Sequence, residues 1–122
     1  MYWIMNKNVD ELLLSRIRNT LVAKGTDWEE KRMFGGLCFM VDGKMCFGTY
    51  KGGMMARINP EEVDKLIENE AADQMIHGGR PMNGYLFIQP EGYETDEDLE
   101  YWIRACLAFN PFAKASKKKK KK

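Results

Sequence analysis

The sequence predicts an α+β fold in two layers: an antiparallel sheet of about five or six strands packed with about three helices. Three observations predict it. Apolar residues recur at helical spacing near both ends of the chain. Between residues 31 and 58 that period gives way to short apolar runs separated by glycine-containing turns. Asn59-Pro60 then opens another helix before a last strand and a last helix. The 122 residues, 44% of them apolar, suit one domain with a core of ordinary size.

The first helix is expected over residues 8–25. Val9, Leu13, Ile17 and Leu21 form its stripe, widened by Leu12 and Leu14. Asn8 is the expected cap, and Gly25 suits the left-handed residue that ends a helix. Strands follow. Leu37 to Val41 and Lys44 to Thr49 are apolar runs joined by Asp42-Gly43, a two-residue hairpin signal because both positions want positive φ. Lys51-Gly52-Gly53 turns the chain into Met54 to Ile58. Asn59 caps the next, short helix, with Pro60 at its first position, Glu62 completing a capping-box pattern, and Val63, Leu66 and Ile67 as its apolar face, fading near Ala72. Met75-Ile76 reads as a short extended piece, Gly78-Gly79 as a turn, and Tyr85 to Ile88 as a strand. Thr95 caps a last helix with Asp96, Glu97 and Asp98 in its first turn, where the helix dipole favours acids. Its stripe is Leu99, Trp102, Ile103, Cys106 and Leu107, and it ends near Asn110-Pro111.

Charge separates the body from the end of the chain. The formal net charge is +1, but Lys117–Lys122 supplies six of the nineteen basic residues. The remaining thirteen stand against eighteen acidic ones, an acidic body that repels nucleic-acid phosphates. Residues 1–113 read as the domain and 114–122 as a disordered lysine-rich tail, able at most to hold polyanions weakly. No apolar run is long enough for a membrane span, and the start lacks the pattern of a secretory signal. Three cysteines without a C-x-x-C argue against a disulfide framework. A cytoplasmic protein without membrane contact is expected.

A two-residue turn at Asp42-Gly43 sets Val41 opposite Lys44, Met40 opposite Met45, Phe39 opposite Cys46 and Cys38 opposite Phe47. Opposed residues share a face. Cys38 then lies with Met40, Met45 and Phe47. Cys46 lies with Leu37, Phe39 and Val41, so the two thiols point apart and neither bridge nor chelate one metal. Both faces of the hairpin are apolar. One packs on helices, and the other needs a cover: a second copy, a partner, a loop or the last helix. Leu37, Phe39, Val41 and Cys46 are taken as the candidate interface.

No catalytic, cofactor or metal constellation emerges. The glycine pairs at 35, 52 and 78 do not fit a phosphate loop, which needs a glycine-rich turn opening a helix. His77, the single histidine, has no triad signature around it. Arg57 in an apolar strand and Arg80 at the head of Arg80-Pro81-Met82-Asn83-Gly84 need anionic partners. Those are either carboxylates of the body or an external anion or partner. With Met33, Phe34, Gly35 and Met82 they make the candidate interaction or anion site.

Lys31-Arg32-Met33-Phe34-Gly35-Gly36-Leu37-Cys38-Phe39, with Gly43 and Phe47-Gly48, resembles the MFGG-type block of the TfoX (Sxy) amino-terminal domain family. Met55-Ala56-Arg57-Ile58, Arg80 to Tyr85, and Asp98-Leu99 to Ala108-Phe109-Asn110 fall where that family's later blocks fall, and the likeness spans roughly residues 8 to 112. The resemblance implies an α+β two-layer fold similar to that of secretion chaperones. Longer members regulate natural competence and carry a helical carboxy-terminal domain, for which this chain has no room. A stand-alone member is expected. The resemblance supplies no catalytic residues. It leaves three readings: a non-enzymatic regulatory or adaptor domain working by protein contact, with a protein partner or as a homodimer; a nucleic-acid-associated regulator; and a binder of small anions, or an enzyme, using Arg57 and Arg80.

Overall fold

The computed structural model describes residues 2–114, with side chains from residue 11 onward. The lysine run Lys117–Lys122, nearly all of the expected tail, and the side chain of Val9 lie outside the described residues.

Helix α1 spans Tyr2–Lys24, six residues longer at its start than expected, so Asn8 lies inside it rather than at its start. Leu13, Ile17 and Leu21 are buried as the spacing predicts, Leu14 packs beside them, and Leu12 points to solvent. Gly25 ends the helix at φ +69, its N–H on the Val22 carbonyl and that of Thr26 on Leu21.

Six antiparallel strands follow: β1 (Glu29–Met33), β2 (Gly36–Val41), β3 (Lys44–Tyr50), β4 (Gly53–Arg57), β5 (Ala72–His77) and β6 (Arg80–Ile88). They form one sheet in the order β1-β2-β3-β4-β6-β5. Four hairpins in it turn on two residues of positive φ, Phe34-Gly35, Asp42-Gly43, Lys51-Gly52 and Gly78-Gly79, the mirror-image turns whose twist matches that of strands. The short helix expected after Asn59 is a 3₁₀ turn, Pro60–Glu62, followed by α2 (Val63–Leu66). Asn59 accepts from the Glu61 N–H, not from Glu62 as a capping box requires, and Ile67 is exposed just past the helix end. The extended piece at Met75-Ile76 is the middle of β5, and the last strand begins five residues before Tyr85. After a 3₁₀ turn, Pro90–Tyr93, α3 covers Asp96–Phe109 with Thr95 accepting from the Asp98 N–H, and a final 3₁₀ turn, Asn110–Phe112, closes the described chain.

All three helices lie on one face of the sheet. Leu13, Ile17 and Leu21 from α1, Val63 and Leu66 from α2, and Leu99, Trp102, Ile103 and Cys106 from α3 meet Phe39, Phe47, Met54, Ala56, Leu86 and Ile88. Asn110 fastens the end of α3 to the β2–β3 hairpin. Its side-chain amide donates to the Val41 carbonyl at 3.0 Å, and its backbone carbonyl accepts from Lys44 Nζ at 3.1 Å.

The β2–β3 register follows the expectation for two pairs and then departs. Val41 opposes Lys44 and Met40 opposes Met45, but Phe39 opposes Phe47 and Cys38 opposes Gly48. Cys46 is the extra residue of a bulge. A bulge flips every later side chain to the other face, so Phe47 joins the helix side instead of lying with Cys38. Cys46 remains with Phe39 and Val41, and Cys38 with Met40 and Met45, so the thiols do point apart.

Candidate functional site

The opposite face of the sheet is the place to look for a site, because none of the described helices covers it. Cys38, Met40, Tyr50, Met55 and Met75 are buried there, with Met33, Phe34, Met45, Met82, Tyr85 and Phe87 half-buried around them. Among the described residues the cover is not the last helix. The sheet closes over its own face. Phe34, in the turn after edge strand β1, sets its ring 4.7 Å from that of His77, at the end of the other edge strand β5. Tyr50 joins them: its hydroxyl lies 2.9 Å from His77 Nδ1 and donates to the Ile76 carbonyl at 3.3 Å, and its ring meets Phe87 edge-on at 6.0 Å. The two ends of the strand order thus meet across a second core.

Local chemistry explains how the sheet bends this far. A Cβ on Gly36 would fall into the Thr49 carbonyl, and one on Gly48 into that of Leu37, so β2 and β3 approach at distances only glycine allows. The bulge at Cys46 adds local twist. A wider irregularity in β6 sets its block Met82-Asn83-Gly84-Tyr85 against Met75 alone on β5. Gln74 holds it: Nε2 donates to the Met82 carbonyl at 2.6 Å and the Tyr85 carbonyl at 3.2 Å, while the Ile58 N–H takes the Gly84 carbonyl.

The sequence-predicted site residues separate into three groups. Met33, Phe34 and Met82 are each half-buried on the rim of the second core. Gly35 is exposed behind them as the second residue of the Phe34-Gly35 turn. Phe34 itself sits at φ +55, a conformation that a bulky residue rarely adopts. Arg80 is exposed and opposes His77 directly, so it rises from the same face. It makes no ion pair among the described residues.

Arg57 is occupied rather than waiting for an anion. Its guanidinium stands 5.4 Å above the Tyr85 ring and donates to the Met45 and Lys114 carbonyls at 3.3 and 3.2 Å. No carboxylate pairs with it among the described residues, so the internal salt bridge considered from sequence is replaced by backbone carbonyls and a ring face. The third group is the interface expected on Leu37, Phe39, Val41 and Cys46. Phe39, Val41 and Cys46 are buried under the helices of the same chain, and Leu37 is half-buried. That face is filled from within. The apolar face left over is the methionine side, because the helices chose the surface carrying Phe39 and Phe47.

The sequence reading named His77 without giving it a role, and did not single out Tyr50 or Gln74. His77 was separable only by its place before Gly78-Gly79, which puts it opposite Arg80. No local signal marks Gln74, since its partners are eight and eleven residues away.

The three cysteines are held as neutral thiols. Burial pushes the Cys38 thiol up to about 11 and the Cys46 thiol to about 12, and raises that of Cys106 as well. All three stay neutral thiols, which are poor nucleophiles and ligands. Among the described residues no group of three His, Cys, Asp or Glu side chains is placed to hold a metal ion, and no helix is long and apolar enough to cross a membrane. Burial also raises the Tyr85 hydroxyl, which lies 3.9 Å from the Met45 sulfur.

A family model described as the TfoX N-terminal domain matches residues 20–110, most of the chain. The match takes in the β1–β2 turn, the β6 block with its irregular pairing, and Asn110 at the end of α3. No curated protein and no solved structure matches.

Proposed function

Because the chain belongs to the TfoX N-terminal domain family, we propose that it is a regulatory domain that acts by contact with another protein, without an enzymatic step, in the cytoplasm. The contact surface is the rim where the two sheet edges meet: Met33, Phe34 and Met82, with Arg80 as its charged member. One observation carries the reading. Exposed Arg80, without an ion pair among the described residues, stands beside a half-buried, methionine-rich rim whose aromatic residue is held in a rare backbone conformation. Methionine adapts its shape to a partner surface, and arginine is the cation most used at protein contacts. The three neutral, unpaired thiols agree with a reducing compartment.

The test is capture of a binding protein from cell extract by the intact chain, compared with Met82→Glu and Arg80→Ala. Both positions lie at or near the surface, so both variants are expected to melt close to wild type while losing the captured protein. A captured protein held equally by all three chains would sink the rim as the contact surface.

A further inference from the structure

A hollow of about 280 Å³ opens beside the place where Phe34 and His77 meet, lined by Tyr50, Lys51, Gln74, Ile76 and Phe87. Its apolar walls are Tyr50, Phe87 and Ile76. Ile76 is 56% exposed, whereas Ala72 and Met75 of the same strand are buried. Lys51 brings a charge to it, exposed in the β3–β4 turn with Nζ 5.3 Å from the centre of the Tyr50 ring. Two more exposed cations share this face of the sheet. Lys31 opposes Cys38 and Arg80 opposes His77, so both rise on the methionine side. Every ion pair among the described residues uses a side chain of α1 or α3, and Lys31, Lys51 and Arg80 are in none of them. The carboxylates that the register puts on this face, Glu29 opposite Met40 and Asp73 opposite Phe87, belong to the two edge strands and pair with none of the three. Outside the lysine run the chain has thirteen basic and eighteen acidic residues. In that acidic body, unpaired positive charge stands around an apolar hollow.

We propose that the hollow receives one apolar side chain from an acidic segment of a protein partner, with carboxylates on either side of that residue meeting Lys51 and Arg80. The apolar side chain buries Ile76 and the edges of Tyr50 and Phe87. Water leaves with it, which strengthens the ion pairs at its borders. Complementary charge also speeds the encounter and rejects basic partners. A nucleic acid would offer phosphates to the same cations, but it would meet the acidic remainder of the body, and phosphates leave the apolar hollow unfilled. This inference rests on the reading of the domain as a protein-contact module and names the chemistry of the partner.

Titration of the isotope-labelled full chain with the capped peptide acetyl-Glu-Glu-Leu-Glu-Glu-amide, followed by NMR, tests it. Amide shifts are expected at Tyr50, Lys51, Ile76 and Arg80, with binding that weakens as salt rises. Alanine in place of the peptide's leucine is expected to weaken binding about tenfold. Lys51→Glu is expected to weaken it about tenfold as well; Lys51 is exposed in a turn, so the substitution leaves both cores intact. The absence of shifts at these residues overturns the proposal, as do shifts confined to other parts of the chain. Equal binding of acetyl-Lys-Lys-Leu-Lys-Lys-amide, or binding indifferent both to the leucine and to Lys51→Glu, overturns it too. A short DNA duplex that reproduces the same shifts would replace the acidic protein segment with a nucleic acid. The rim reading fails by a different result, undiminished capture by Met82→Glu and Arg80→Ala, so the two failures are distinguishable.

Discussion

On one face of the sheet Phe39, Phe47 and Leu86 meet Ile17, Leu99 and Trp102 from the helices; on the other, Cys38, Met55 and Met75 meet side chains of strands and turns alone. The helix-covered core uses large, stiff side chains against stiff partners. The second core is closed by curvature and filled largely by methionine, whose unbranched chain fits the irregular space inside a bent sheet. A layer can cover a flat face, but a face without a layer must bend, and bending needs glycine contacts, bulges and a brace. The two cores share β2, β3, β4, β5 and β6, so they are expected to unfold together despite their different construction.

Substitutions in the two cores sharpen this contrast most. Trp102→Ala empties the largest buried side chain of the helix side and strands the Gly92 carbonyl it donates to at 3.0 Å, and is expected to lose about 3–5 kcal/mol. Met75→Leu in the second core should lose under about 1.5 kcal/mol, because an adaptable site tolerates a volume-conserving change. Urea unfolding measures both, and two separate transitions in wild type would break the picture of one cooperative unit. Next comes curvature. Gly36→Ala forces β2 away from Thr49 and should lose about 3 kcal/mol, the upper end for volume inserted into a packed region. Gly43→Ala, with open space around it but φ +76, should lose only about 1–2 kcal/mol. Equal effects would show that the close approach does not set the bend.

The brace is expected to matter less. Gln74→Ala leaves the Met82 and Tyr85 carbonyls without this donor and should lose about 1–3 kcal/mol, together with capture by the rim that the irregular β6 pairing presents. The response to alkali is the most gradual, spread over several pH units. Folding raises the Cys38 thiol from its ordinary 9.0 to about 11 and the Cys46 thiol to about 12. Above pH 9 the unfolded chain therefore gives up protons that the folded chain keeps. The contribution is intact below pH 9 and is lost as pH climbs toward the folded values, by up to about 1.4 kcal/mol per pH unit for each thiol. Denaturant titrations at pH 8, 9 and 10 should show the fall, with a shallower slope in Cys38→Ala.

Much of the architecture was legible from local pattern. The stripe Leu13, Ile17, Leu21, the Gly25 stop, the Thr95 cap and the Asp42-Gly43 turn each rest on residues within one helical turn or one hairpin, where spacing and φ preference decide. Met33, Phe34 and Met82, named together from the sequence, each pack against the second core. What pattern could not give was register beyond the turn. One extra residue at Cys46 sent Phe47 to the helix face and left the methionine face as the remaining apolar surface. Nor could it give the partners of Arg57, two carbonyls and a ring rather than a carboxylate.

Short-range sterics and the alternation of side chains along a strand were enough for the fold class, the turns at Asp42-Gly43, Lys51-Gly52 and Gly78-Gly79, and the opposite facing of Cys38 and Cys46. Which face the helices take, how far the sheet bends, and the meeting of Phe34 with His77 were decided only by the tertiary structure. They depend on one bulge and on close backbone approaches at Gly36 and Gly48, whose partners lie more than ten residues away and leave no local trace in the sequence.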